Sequence, residues 1–215
     1  MVTGIGELSE NEYARISAFE IIGYAAVNAA GIAFVVFIGL LVSRRGGFEI
    51  LKDDFIPSIL IPILIGIFLA VFATGLDVLW YQGAVLTKVR GMGGIIARLS
   101  VVYAAAVGEE ILFRFFLMSL IAWISALKIR SATAVAWIGI IVSGLFFGMG
   151  HFPKDLAEIS LMVMGRALLL NGFAGIVFGW LYWKRGLATA MIAHFSADFT
   201  IYFILPFGLN VLEIG

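Results

Sequence analysis

Long apolar runs, interrupted by short polar clusters, make up most of the chain. A helix that crosses a membrane needs about 20 mostly apolar residues. On that measure the pattern predicts six spans, at residues 18–43, 57–82, 95–127, 132–152, 159–183 and 187–212. The breaks are polar and brief: Ser43-Arg44-Arg45-Gly46-Gly47, Lys128-Ile129-Arg130-Ser131, Pro153-Lys154-Asp155 and Trp183-Lys184-Arg185-Gly186. Backbone groups in lipid must be satisfied within their own segment, so each run is expected to be helical. The ten-residue alternating segments of a β-barrel are not found. The expected fold is therefore all-α: a polytopic transmembrane helical bundle of about six spans. Residues 1–215 are read as one transmembrane domain, because no hydrophilic stretch is long enough to fold separately. The stretch 83–94, with Lys88, Arg90 and glycines at 83, 91, 93 and 94, reads as irregular or interfacial.

Composition agrees with this pattern. Of 215 residues, 62% are apolar and 13% charged, against about 45–50% and about 25% in soluble domains. The formal net charge is zero, which argues against a nucleic-acid partner. With no cysteine, disulfides, thiol nucleophiles and cysteine-ligated zinc are excluded. Glu7, Glu10, Glu12 and Arg15 precede the first run and give it the wrong charge for a signal peptide. Arg44, Arg45, Lys52, Lys128, Arg130, Lys184 and Arg185 fall on one side of a six-span topology. Arg15, Lys88, Arg90 and Lys154 fall on the other. The first, larger set predicts the cytoplasmic side, with both termini outside.

Ionisable groups within apolar runs are costly and face a cavity or a partner. The third run contains Glu109, Glu110 and Arg114; the fourth ends on Phe147-Gly148-Met149-Gly150-His151; the sixth contains His194 and Asp198. Glu110 and Arg114 are four apart and share a helix face in salt-bridge range. Glu109 is turned about 100° away and is left to face a cavity. The competing reading has both glutamates serving the arginine or meeting polar groups of other helices. His194 and Asp198 are also four apart. That spacing suits two ligands of one metal, an imidazole held by its orienting carboxylate, or a packing pair. His151 lies at a helix end, and Phe147, one turn earlier, is expected to pack. Asp77, close to its segment end, is expected to reach water. Arg166 is expected to pair with Asp155 or Glu158. These two, with Arg98 and Asn171, are read as structural.

The runs Glu109-Glu110-Ile111-Leu112-Phe113-Arg114, Phe147-Gly148-Met149-Gly150-His151 and His194-Phe195-Ser196-Ala197-Asp198 fit E-E-x-x-x-R, F-x-x-x-H and H-x-x-x-N/D. Their order and separation resemble the CAAX-protease and bacteriocin-processing (CPBP) family of intramembrane endopeptidases, which includes the type II CAAX prenyl proteases. Gly179-Trp180-Leu181-Tyr182, Gly186-Leu187, Met191 and His194 also resemble prokaryotic members, which implies the prokaryotic cell membrane. The resemblance covers about residues 95–205, the motif-bearing core of helices of membrane-spanning length. It implies hydrolysis of a peptide bond in a membrane-associated peptide or lipidated protein, such as a prenylated CAAX substrate. Catalytic roles fall to Glu109 as the base that activates water, to His151 as its helper, and to His194 and Asp198 as oxyanion stabilisers. Glu110, Arg114 and Phe147 would support the site. Members with Asn at the last motif position are common, so Asp198 adds a negative charge there.

The cofactor expectation is none, or zinc held by His151, His194 and Asp198. Neither histidine lies in an H-E-x-x-H pattern, so the reading leans away from a tightly bound ion. Two other function classes compete with the protease: a catalytically inactive immunity or adaptor protein of the same fold, and a proton- or ion-coupled transporter relaying through Glu109, His151 and Asp198. The absence of an inverted internal repeat counts against the transporter.

Overall fold

In the computed structural model, the residues described are 18–51, 58–81, 83–153 and 160–207. The acidic N-terminal stretch, Lys52, Lys154, Asp155, Glu158 and the end of the last predicted span lie outside them. All the regular structure among the described residues is helical. Six long helices are α1 (Ala18–Gly46), α2 (Leu60–Tyr81), α4 (95–126), α5 (Ala132–Met149), α6 (Leu161–Arg185) and α7 (Leu187–Phe207). Between α2 and α4 lies a short helix, α3 (Ala84–Arg90), where the sequence suggested irregular chain. Gly83, at φ +69°, supplies the left-handed residue that turns the chain into it.

Five of the long helices are long and apolar enough to cross a membrane. The remaining one, α4, carries Arg98, Glu109, Glu110 and Arg114. The molecule is thus a multi-pass integral membrane protein whose most charged helix is drawn into the middle of the bundle. The second half of α4 packs against α1 and α5, and its first half against α7. In turn α7 packs against α2 and α6, and α5 against α6. Lipid offers no hydrophobic drive between helices, so close van der Waals fit has to hold them. Gly66 of α2 shows how close that fit is. A Cβ there would strike the Ala193 carbonyl and lie 2.8 Å from Ser196 Cβ and 2.9 Å from Ala197 N, all on α7.

Local signals set the helix ends. Ser131 and Ser160 cap α5 and α6, their hydroxyls accepting from the backbone of Ala134 (3.3 Å) and Val163 (3.2 Å). Gly186, at φ +91°, makes the sharp turn from α6 to α7. There the first amides of α7, at Leu187 and Ala188, donate to the Glu49 and Ile50 carbonyls at 3.0 Å. These bonds satisfy donors that a helix start leaves open, and they tie α7 to the segment after α1.

Two helices depart from regular α geometry where the ionisable residues sit. In α4 the chain widens into i→i+5 turns over Ala105–Glu109 and Ile111–Met118, and in α7 over Thr200–Ile204. A similar turn in α6 covers Leu168–Gly172. Such widened turns occur often at functional sites, because they re-aim neighbouring side chains.

Candidate active site

The site is built on α4 and α7, with α5 and α6 closing it. Arg114 and Glu110 are fully buried and paired, Nη1 lying 3.1 Å from Oε1. Burying a charged pair demands further partners, and the fold provides some of them, while Glu110 Oε2 and Arg114 Nε have no hydrogen-bond partner among the described residues. Arg114 Nη2 donates to the Gly175 carbonyl of α6 at 3.2 Å. Its guanidinium lies 4.3 Å from the centre of the Phe147 ring and 5.5 Å from that of Phe178, both favourable cation–π placements. Gly175 leaves room for this close approach. A Cβ on it would come within 3.2 Å of Phe147 and 3.3 Å of Arg114 Nη2. No spacing in the sequence marks this glycine as a site residue.

Glu110 does more than neutralise Arg114. Its Oε1 also accepts from Nδ1 of His194 at 2.9 Å. The imidazole is therefore held by Glu110, eighty-four residues away, in the role the i,i+4 spacing had suggested for Asp198. Phe178 stacks on the imidazole at 4.8 Å and 17°, and Phe147 meets it edge-on at 5.8 Å. A carboxylate can only accept, so Nδ1 carries a proton and Nε2 is aimed at the other side of the ring.

That other side holds two more carboxylates. Glu109 Oε2 is 3.9 Å and Asp198 Oδ2 3.6 Å from His194 Nε2. Both distances exceed a direct hydrogen bond. Both carboxylates lie within ion-pair range of Nε2. The Glu109 side chain is 35% exposed, while that of Glu110 is fully covered. The adjacent acids thus take opposite sides of one imidazole, Glu110 on its inner nitrogen and Glu109 on its outer, open one. Helical divergence of neighbouring residues separates them, and the widened turns on either side of Glu110 let both reach the same ring.

The structure brings His151 to the same region by a different route. Its ring is exposed, and its Nδ1 donates to the Phe147 carbonyl at 2.8 Å. Phe147 is buried and packs against His151 (4.9 Å), Phe113 (5.3 Å), His194 and Arg114. Among the described residues His151 has no hydrogen bond or ion pair with Glu109, His194 or Asp198. The imidazole that faces Glu109 is His194. Nor do three or more His, Asp or Glu side chains converge to hold a metal ion among the described residues. His194 Nδ1 is bonded to Glu110 and His151 Nδ1 to the Phe147 carbonyl, and as placed His151, His194 and Asp198 do not converge on one point.

One of the outlying polar residues also differs from expectation. Asp77 is fully buried rather than reaching water, and its Oδ1 accepts from Arg166 Nε at 2.5 Å. Arg166 thus pairs across helices, α6 to α2; Asp155 and Glu158, its expected partners, lie outside the described residues.

Sequence comparison bears on the same region. The model of a protein family described as type II CAAX prenyl endopeptidase Rce1-like matches residues 91–200. That range begins just before α4 and ends just after Asp198. No curated protein and no solved structure matches the chain.

Proposed function

Because the chain belongs to the type II CAAX prenyl endopeptidase Rce1-like family, we propose that it hydrolyses one peptide bond of a membrane-associated, prenylated CAAX-type substrate with a water activated by Glu109. The single observation that carries this reading is the outer face of His194. There an imidazole with its inner nitrogen held by Glu110 faces two carboxylates, each within 4 Å of its outer nitrogen. The proposed setting is the prokaryotic cell membrane, on the resemblance of the 179–194 run.

The roles follow from the geometry. Glu109, the more open of the two adjacent acids, takes a proton from water as its oxygen attacks the scissile carbonyl carbon. The doubly protonated His194 donates from Nε2 to the oxyanion, while Glu110 accepts from Nδ1 and keeps the ring in place. Collapse of the tetrahedral intermediate breaks the C–N bond, and Glu109 returns its proton to the leaving amine. Asp198 balances the charge of the imidazolium. His151, fixed at the exposed rim by the Phe147 carbonyl, stands beside the bound peptide and offers Nε2 to it. Arg114 and Phe147 act through Glu110 and His194 as positioning residues. No protein nucleophile is needed, so no covalent acyl-enzyme forms.

The test uses purified protein in lipid vesicles with a farnesylated CAAX peptide and, in parallel, hydroxylamine. The expected result is release of the C-terminal tripeptide, with a free carboxylate on the prenylated product. A hydroxamate product would signal an acyl-enzyme and overturn the direct attack of water; intact peptide would overturn the endopeptidase reading.

A further inference from the structure

Three arginines in the described spans lie among apolar residues, and two of them have a carboxylate. Arg114 pairs with Glu110 and Arg166 with Asp77. Arg98, on the first turns of α4, has none among the described residues. Its Nη1 donates to a backbone carbonyl, that of Tyr202 on α7, at 3.3 Å. Its Nε is shielded from solvent and has no hydrogen-bond partner. A guanidinium held at one corner, with a buried donor unused, has capacity for an anion.

Its position gives that capacity a meaning. Glu110 meets α7 at His194 and Arg98 meets it at Tyr202, so the two helices run antiparallel. The arginine therefore stands eight residues along α7 from the imidazole. At 1.5 Å per residue this is about 12 Å along α7, and Arg98 lies about 16 Å from Glu109 along α4. In a C-terminal CAAX substrate the chain end lies three residues beyond the scissile bond, which spans about 10 Å when extended. Glu109 and Asp198 put negative charge at the reacting end of this path, which repels a carboxylate placed there. Arg98 puts positive charge at the far end.

The geometry points to Arg98 as the residue that binds the substrate's terminal carboxylate. The site then accepts a chain end at a fixed distance from the cleaved bond. This rests on the endopeptidase reading above and adds to it a rule for substrate choice.

The experiment compares two farnesylated peptides identical except for the last group, one a free carboxylate and one a carboxamide. Both are cleaved by wild type, Arg98→Gln and Arg98→Lys in phosphatidylcholine vesicles. Wild type is expected to favour the carboxylate by about 10- to 100-fold in kcat/KM, the worth of a charge-assisted hydrogen bond. In Arg98→Gln that ratio falls to near one, and Arg98→Lys restores part of it. The ratio is taken within each preparation, so a change in the folded fraction cancels. A wild-type ratio near one, or a ratio unchanged by Arg98→Gln, overturns the assignment. A second arm adds phosphatidylglycerol to the vesicles. If the added lipid changes wild-type activity but not that of Arg98→Gln, with a flat carboxamide ratio, the ligand is a lipid phosphate and the assignment fails. If wild type cleaves neither peptide in either lipid, the endopeptidase reading itself falls, and this assignment with it.

Discussion

Replacing Arg114 with methionine tests the buried framework of the site. The substitution keeps length and apolar volume but removes the charge that neutralises Glu110. Both residues are fully buried, so the carboxylate loses its guanidinium partner, keeps only His194, and cannot reach water. Breaking a buried pair in this way costs about 3–5 kcal/mol. The loss includes the charged hydrogen bond to the Gly175 carbonyl and the stacking on Phe147. At about 2–4 °C per kcal/mol for a chain of this size, the melting temperature in detergent should fall by roughly 6–20 °C. The double variant Glu110→Gln with Arg114→Met removes both charges and leaves an amide oxygen to accept from His194. It should therefore be more stable than Arg114→Met alone, although it carries one more substitution. Thermal melts and SDS titrations of wild type, both single variants and the double variant close the cycle. A loss below about 1 kcal/mol for Arg114→Met, or a double variant no better than the sum of the singles, would refute the claim that this pair is mutually dependent and desolvated.

Other consequences follow from the same packing. Arg166→Gln should destabilise more than Asp77→Asn, because the first removes a cation from beside a fully buried carboxylate and the second leaves a partly exposed arginine; melts of the two variants decide the order. Gly66→Ala should push α7 away from α2 at the residues flanking His194. A displacement near 1 Å at a reacting group costs about 100-fold in rate, so kcat should drop 10- to 100-fold while the helical circular dichroism stays unchanged.

The helices were legible in the sequence because lipid leaves a long apolar run no other state. The polar clusters at 128–131 and 183–186 marked two of the breaks between them. Much of the candidate site was legible for a related reason: charges are so costly in such runs that Glu109, Glu110, Arg114, His194 and Asp198 stood out by type alone. Their partners were not. Periodicity shows which residues share a face of one helix and is silent on which helix meets that face. The bond from His194 to Glu110 and the pair of Arg166 with Asp77 join residues 84 and 89 positions apart, and no local pattern encodes them. The i,i+4 rule drew attention to His194 with Asp198, whereas the shorter contact is to Glu110. The widened turns of α4 also escaped, because the residues in them have ordinary helical preferences and the register is set by tertiary packing. His151 is a different case. Its place at a helix end was legible from the glycines before it and Pro153 after it, whereas its bond to the carbonyl four residues back was not.

The whole assignment turns on a proton passing from water to one carboxylate. Cleavage of the farnesylated CAAX peptide by Glu109→Gln, with the fold verified by its melt, measures this directly. Loss of a general base lowers the rate about 10²- to 10⁴-fold, and the account predicts a fall in that range with the melting temperature close to wild type. A Glu109→Gln protein that releases the tripeptide at the wild-type rate would contradict it.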